Sequence, residues 1–213
     1  MRTVSTSLLT KPADEAQPSR AISYEEFLDW PGENQHVEWV GGKVVTMSPI
    51  SKEHSDVGLF LLNLLKHFVE ARDLGAVLYD PFQMKTGPDL PGRAPDILFV
   101  ARANLGRLHR NHLEGPGDLV VEIISPGSRA VDRGEKFYEY EQGGVPEYWL
   151  IDPQRQQTEF YQRGADGIYR LTPADDQGIY RSRVLDGLWL KVDWLWQRPL
   201  PALLSVLKEW RLI

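Results

Sequence analysis

The sequence predicts a mixed α/β domain, and three observations carry that prediction. Val57, Phe60, Leu61, Leu64, Leu65 and Phe68 recur at three- and four-residue steps, the period of one helix face. Asp96 to Val100 and Leu119 to Ile124 are short runs apolar on both faces, as central strands are. A helical stretch over Arg129 to Gln142 separates Leu119–Ile124 from the β-rich Glu147 to Ile151, which is the order of a βαβ crossover with parallel strands. A central mixed sheet flanked by helices follows.

Along the chain, residues 1–20 mix Thr, Ser, Pro, Lys and Glu without an apolar period and are expected to form a flexible leader. Ser23 followed by Glu26 is a capping box, predicting a short helix through Trp30. His36 to Val40 and Lys43 to Met47 flank Gly41-Gly42, so an N-terminal β-hairpin is expected there. Ser51 should cap the long helix and Gly75 should end it. Ala76 to Tyr79 and Phe82 to Lys85 read as further strands. Beyond Thr158 the chain reads as an antiparallel extension with turns at Gly164–Gly167 and Asp186-Gly187, then a helix over Pro201–Trp210. The run Leu188–Trp196 alternates and carries three Trp; it predicts either a homodimer contact or the outer core of the domain itself.

The 213 residues carry 24 Lys plus Arg against 30 Asp plus Glu, a net charge of −6. That balance excludes a sequence-blind nucleic-acid coat protein and a polybasic membrane binder, whose affinity needs surplus positive charge. With no cysteine, thiolate zinc sites and cysteine nucleophiles are excluded, and oxygen donors for hard cations remain. No apolar run approaches the ~20 residues of a membrane span, so the expectation is a cytoplasmic protein with no membrane partner.

Glu122 is the informative residue. In Leu119–Ile124 strand alternation gives it Val120 and Ile124 as same-face neighbours, and burying a carboxylate there costs several kcal/mol unless cations or donors meet it. Asp96 opens a second central strand after Pro95, and two such acids can share one Mg²⁺. Asp132, Lys136 and Tyr140 follow at four-residue steps on one helix face, which offers an ammonium to those carboxylates. Glu38, between Val37 and Trp39 on the hairpin, is a further candidate ligand, and His54, in the first turn of the long helix, an auxiliary one. Arg102, Arg107, His109, Arg110 and His112 form a local basic segment suited to phosphates or to a solvated face.

These residues, read together in order, resemble the Uma2 family (DUF820): Glu38 with Gly41-Gly42, Ser48-Pro49 and His54, Pro95-Asp96, Leu119 to Pro126, Asp132 and Lys136, Gly144 to Trp149 and Asp152-Pro153. That family is assigned to the PD-(D/E)XK nucleases. The resemblance implies a restriction-endonuclease-like core over about 22–165 within a single domain 21–213, with 166–213 as its C-terminal extension. It also implies Mg²⁺ or Mn²⁺ on Asp96 and Glu122, with Glu38 as a further acid and DNA as the partner. In the wider nuclease pattern a lysine stands two residues after the second acid; here that position is Ile124, and Lys136 from the next helix takes its place. Lys43 also stands where the family favours an acid. The alternative expectation is a catalytically inactive nuclease-fold module that binds nucleic acid or a protein.

Overall fold

The computed structural model describes residues 20–30 and 36–213, so the leader expected over 1–20 lies, apart from Arg20, outside the described residues. The capping box forms as written: Ser23 Oγ accepts from the Glu26 N–H (3.1 Å), and Glu26 accepts from the Ser23 N–H (2.8 Å). Helix α1 (Tyr24–Leu28) follows, two residues shorter than expected. Strands β1 (Val37–Val40) and β2 (Lys43–Thr46) pair antiparallel across Gly41 (φ +56) and Gly42 (φ +83). Two consecutive left-handed residues match the twist of the flanking strands, and glycine adopts them without a Cβ penalty.

Helix α2 (Lys52–Ala71) is capped by Ser51, whose Oγ accepts from the His54 N–H (3.2 Å). It ends before Gly75. Asp73 takes the left-handed position (φ +55), and Gly75 instead opens β3 (Gly75–Tyr79), where a Cβ would lie 2.1 Å from the Val100 carbonyl oxygen. That glycine is needed for close approach of two backbones. Gly75→Ala should therefore cost about 2–3 kcal/mol by overpacking and strain, read as a lower urea midpoint with an unchanged slope.

The remaining elements are β4 (Gln83–Lys85), β5 (Gly92–Arg93), β6 (Ile97–Ala101), a 3-10 turn (Arg102–Arg107), β7 (His112–Glu114), β8 (Leu119–Ile123), α3 (Arg129–Arg133) and α4 (Glu135–Gly143). They continue with β9 (Glu147–Asp152), β10 (Gln157–Arg163), β11 (Tyr169–Leu171), β12 (Ile179–Arg181), β13 (Trp189–Lys191), a 3-10 turn (Val192–Trp196) and α5 (Leu203–Glu209). A six-stranded sheet runs β11-β10-β9-β8-β6-β3, with β8 and β9 parallel across α3–α4 as the crossover requires and the other pairs antiparallel. A five-stranded sheet, β2-β1-β5-β4-β7, packs beside it, and β12-β13 form a separate ribbon. The very short β5 and β7 had no apolar alternation to announce them.

The large sheet is covered on both faces. Ile97, Phe99, Val121 and Ile123 meet the apolar stripe of α2, together with Leu207 and Trp210 from the α5 end. Leu98, Val100, Val120 and Ile124 face Met84, Leu113, Tyr140 and Tyr148. The Trp-rich run joins the first of these cores. Only Trp189–Lys191 is strand; Val192–Trp196 turns as a 3-10 helix, Trp194 is buried, and Trp210 stands edge-on to Phe68 at 5.5 Å. Its aromatic surface is consumed within the fold, so the homodimer expectation based on it has no support. No helix among the described residues is long and apolar enough to cross a membrane.

Candidate functional site

Glu122 sits near the end of β8 on the face it shares with Val120 and Ile124, as alternation predicts, and is almost completely buried. What waits for it is α4. Lys136 Nζ donates to Glu122 Oε1 (3.0 Å), and Tyr140 Oη donates to the same oxygen (2.8 Å). The single helix expected over Arg129–Gln142 is two helices, because Gly134 (φ −113, ψ −90) interrupts the path. A Cβ at Gly134 would lie 2.7 Å from the Ala130 carbonyl oxygen. Across the break Asp132 remains within reach of Lys136, with Oδ1 3.5 Å from Nζ, an ion-pair distance without hydrogen-bond geometry.

Lys136 also meets Glu38 Oε1 (3.2 Å), so its 2% exposed ammonium is enclosed by three carboxylates. Glu38 is held in turn by Arg93, whose Nη1 donates to Oε2 (2.9 Å), and by the Ala94 N–H (3.2 Å). Arg93 completes a bidentate pair with Glu139 (2.8 Å twice) and reaches Glu135 at 3.4 Å. This buried guanidinium was not singled out from the sequence, since a two-residue strand between Pro91 and Pro95 has no pattern that marks it.

Asp96 lies one residue before β6. The antiparallel register pairs Ile97 with Val121, and its continuation sets Asp96 across from Glu122. Its Oδ2 accepts from the Ile123 N–H (2.6 Å), and Oδ1 lies 3.1 Å from His54 Nε2. His54 thus joins the cluster from the start of α2. A second pair, His36 with Asp80, stands next to it, the Asp80 N–H donating to the Asp96 carbonyl (3.3 Å). Neither was visible as a site residue, because His36, next to the start of β1, and Asp80, in the connection after β3, are brought together only by how the two sheets pack.

Glu38, His54, Asp96, Glu122, Asp132 and Lys136 all line one cleft of about 290 Å³, and Tyr140 supports it from behind Glu122. The segment Arg102–His112 does not reach this cleft: it starts at the far end of β6 from Asp96. Burial pushes Glu122 well above the ordinary carboxylate range; Lys136 opposes this, and Asp132, Asp96 and Glu38 add to it. Burial likewise raises Asp132. For Glu38 burial acts upward too, but Lys136 and Arg93 outweigh it and hold its pKa low. Burial disfavours a charged Lys136, and the three carboxylates overcome this and raise its pKa. For His54 burial acts downward, and the Asp96 hydrogen bond together with the charges of Asp96, Asp132 and Asp80 outweighs it and raises its pKa.

This pocket suits a hard divalent cation. Its donors are carboxylate oxygens in excess of its permanent cations. Glu122 Oε2 accepts no hydrogen bond from a described residue, and Asp132 Oδ1 is buried without a hydrogen-bond partner. Among the described residues no group of three or more His, Asp or Glu is arranged to hold a metal ion by itself.

Comparison with known proteins agrees with this architecture. A crystal structure of a "putative nuclease belonging to DUF820" from Anabaena variabilis superposes with a TM-score of 0.66 at 18% identity, covering 82% of this chain and 97% of that one. An uncharacterized Synechocystis protein, slr1290, is 26% identical over 156 residues, 72% of this chain and 80% of the relative. The model of the Uma2 family, described as "Putative restriction endonuclease", matches residues 24–193. With four-fifths of its length inside that match, the chain belongs to the Uma2 family.

Proposed function

We propose that the protein is a metal-dependent endonuclease that hydrolyses DNA phosphodiester bonds in the cytoplasm. The observation that carries this reading is the convergence of Asp96, Glu122, Glu38 and Asp132 in a single cleft, the last three about one buried lysine. Asp96 and Glu122 hold Mg²⁺ or Mn²⁺, with Glu38 as an auxiliary acid. Such an ion, when bound, lowers the pKa of a water and offsets charge on the phosphate. Lys136 fixes one oxygen of Glu122, and its charge favours the anionic transition state. Tyr140 and His54 act through others, as orienters of Glu122 and Asp96.

The test is nicking of supercoiled plasmid by the purified chain in Mg²⁺ or Mn²⁺. Asp96→Ala and Glu122→Ala should each lower the rate by roughly 10²-fold or more, the equivalent of ~3 kcal/mol of transition-state stabilisation. No cleavage by the unaltered protein, or undiminished cleavage by both variants, would sink the proposal. Mn²⁺ binding by calorimetry, lost in Glu122→Ala but unaccompanied by cleavage, would favour the inactive module, for which Ile124 at the usual lysine position speaks.

A further inference from the structure

β3 is the last strand of the large sheet, so one side of it faces β6 and the other faces no strand among the described residues. The Arg102 N–H donates to the Leu74 carbonyl (2.8 Å) and the Asp80 N–H to the Asp96 carbonyl (3.3 Å), which fixes the phase of the β3–β6 ladder. Antiparallel strands exchange hydrogen bonds at every second residue, so Ala76 and Leu78 also bond to β6. The N–H and C=O groups of Gly75, Val77 and Tyr79 therefore point outward. Of these six groups only the Tyr79 carbonyl meets a donor among the described residues, the Phe82 N–H (3.2 Å). Proteins blunt such an edge with charges, prolines or very short strands, because an open row of backbone groups pairs readily with another chain. The other edge strands follow that rule: β2 carries Lys43, β7 carries His112 and Glu114, β11 carries Arg170, and the ribbon carries Arg181 and Lys191. β3 reads Gly-Ala-Val-Leu-Tyr, with neither charge nor proline, and its Tyr79 is 62% exposed.

The strand that fits this edge is β3 of a second copy. Two copies related by a two-fold axis at Val77 pair antiparallel, with Val77 opposite Val77 and Gly75 opposite Tyr79. Every outward residue of both strands then stands at a hydrogen-bonding position. Residues directly opposite each other share a face, so the exposed Tyr79 ring of each copy comes over Gly75 of the other, where no side chain competes for the space. An aromatic ring laid across a strand over a glycine restores the packing that the glycine lacks. The charges fit as well. The paired segment has none, and the acids at its two ends are already matched, Asp73 by Arg102 and Asp80 by His36.

We infer that the β3 edge is a self-association surface, at which a second copy of the chain adds its own β3 and the two large sheets become one. The inference is independent of the nuclease reading and of the Trp-rich run, which is spent within the core. Sedimentation velocity of the unaltered full chain over a concentration series should show a monomer–dimer equilibrium. Tyr79→Lys, which places a charge on the edge at an exposed position, should raise the dimer Kd at least about tenfold while leaving the fold intact. Because the chain has no cysteine, Val77→Cys introduces a single thiol, and the two-fold register sets it opposite itself at the ~5.5 Å Cα separation of a hydrogen-bonded pair, which a disulfide spans. Under mild oxidation Val77→Cys should therefore form a covalent dimer, and Tyr79→Cys, which faces Gly75, should form little or none. A chain that stays monomeric throughout the series, a dimer indifferent to Tyr79→Lys, or equal cross-linking of the two cysteine variants would each overturn the inference.

Discussion

Lys136→Met is expected to cost the fold about 3–5 kcal/mol near neutral pH, because it removes the cation enclosed by Glu38, Glu122 and Asp132 while leaving all three acids buried. The methionine refills most of the stem volume, so the loss is electrostatic rather than a cavity. Arg93 still holds Glu38, which limits the damage on that side; Glu122 keeps only Tyr140. For a chain of this size the change should lower Tm by roughly 6–20 °C. On the proposed nuclease reading the same variant should also lose DNA cleavage.

The sign of its pH dependence follows from the raised acids. Glu122 and Asp132 have folded pKa values above their ordinary ones, burial being the chief cause. At these two sites the folded protein therefore binds more protons than the unfolded chain, and their contribution to stability falls as pH rises from the ordinary carboxylate value through the raised one. Without Lys136 both acids rise further. In EDTA, the deficit of Lys136→Met against the unaltered protein should thus shrink as pH is lowered from about 8 to about 5.5, and Glu122→Gln added to Lys136→Met should recover part of it. Urea titrations at the two pH values measure this; a deficit that grows in acid would contradict the charge account.

Glu147→Ala should have an effect of similar size for a different reason. Glu147, the first residue of β9, is fully buried and meets no cation among the described residues. Its Oε1 accepts from Trp149 Nε1 and Tyr180 Oη (2.7 Å each), and its Oε2 from Ser182 Oγ (3.0 Å), the Arg183 N–H (2.8 Å) and the Val184 N–H (3.0 Å). Neutral donors here replace solvation of the charge, and truncation orphans all five while opening a cavity. A loss of about 3–5 kcal/mol is expected. Because Tyr180 belongs to β12 and residues 182–184 follow it, this carboxylate also ties the β12-β13 ribbon to the large sheet. The Arg183 and Val184 amides should accordingly lose hydrogen-exchange protection in Glu147→Ala before the strands of the large sheet do. Glu147→Gln keeps the shape but sets an amide N–H₂ against donors, so it should fall between the two. Unchanged Tm in Glu147→Ala would mean that the network carries little of the stability.

How far each feature was legible depended on whether its cause was local. The capping box at Ser23 and Glu26, the Gly41-Gly42 turn and the apolar stripe of α2 depend on residues within a few positions of one another, and they appear at or close to their expected places. The end of α2 was misplaced because Gly75 serves a contact with β6, a strand more than twenty residues away, rather than the helix terminus. The break at Gly134 was missed because the contact between Asp132 and Lys136 at their four-residue step survives it.

The sequence by itself determined that a carboxylate at position 122 must be buried in a central strand and must therefore find a cation or a set of donors, and it pointed to Lys136 on the following crossover helix. Alternation and helical spacing are sufficient for that, since they depend on backbone geometry alone. Only the tertiary structure decided that Arg93, His36 and Asp80 stand beside the same cleft, that the basic segment after β6 does not, and that the Trp-rich run is spent on the core. These outcomes depend on strand order and on how the two sheets pack, which bring together residues that no local period links.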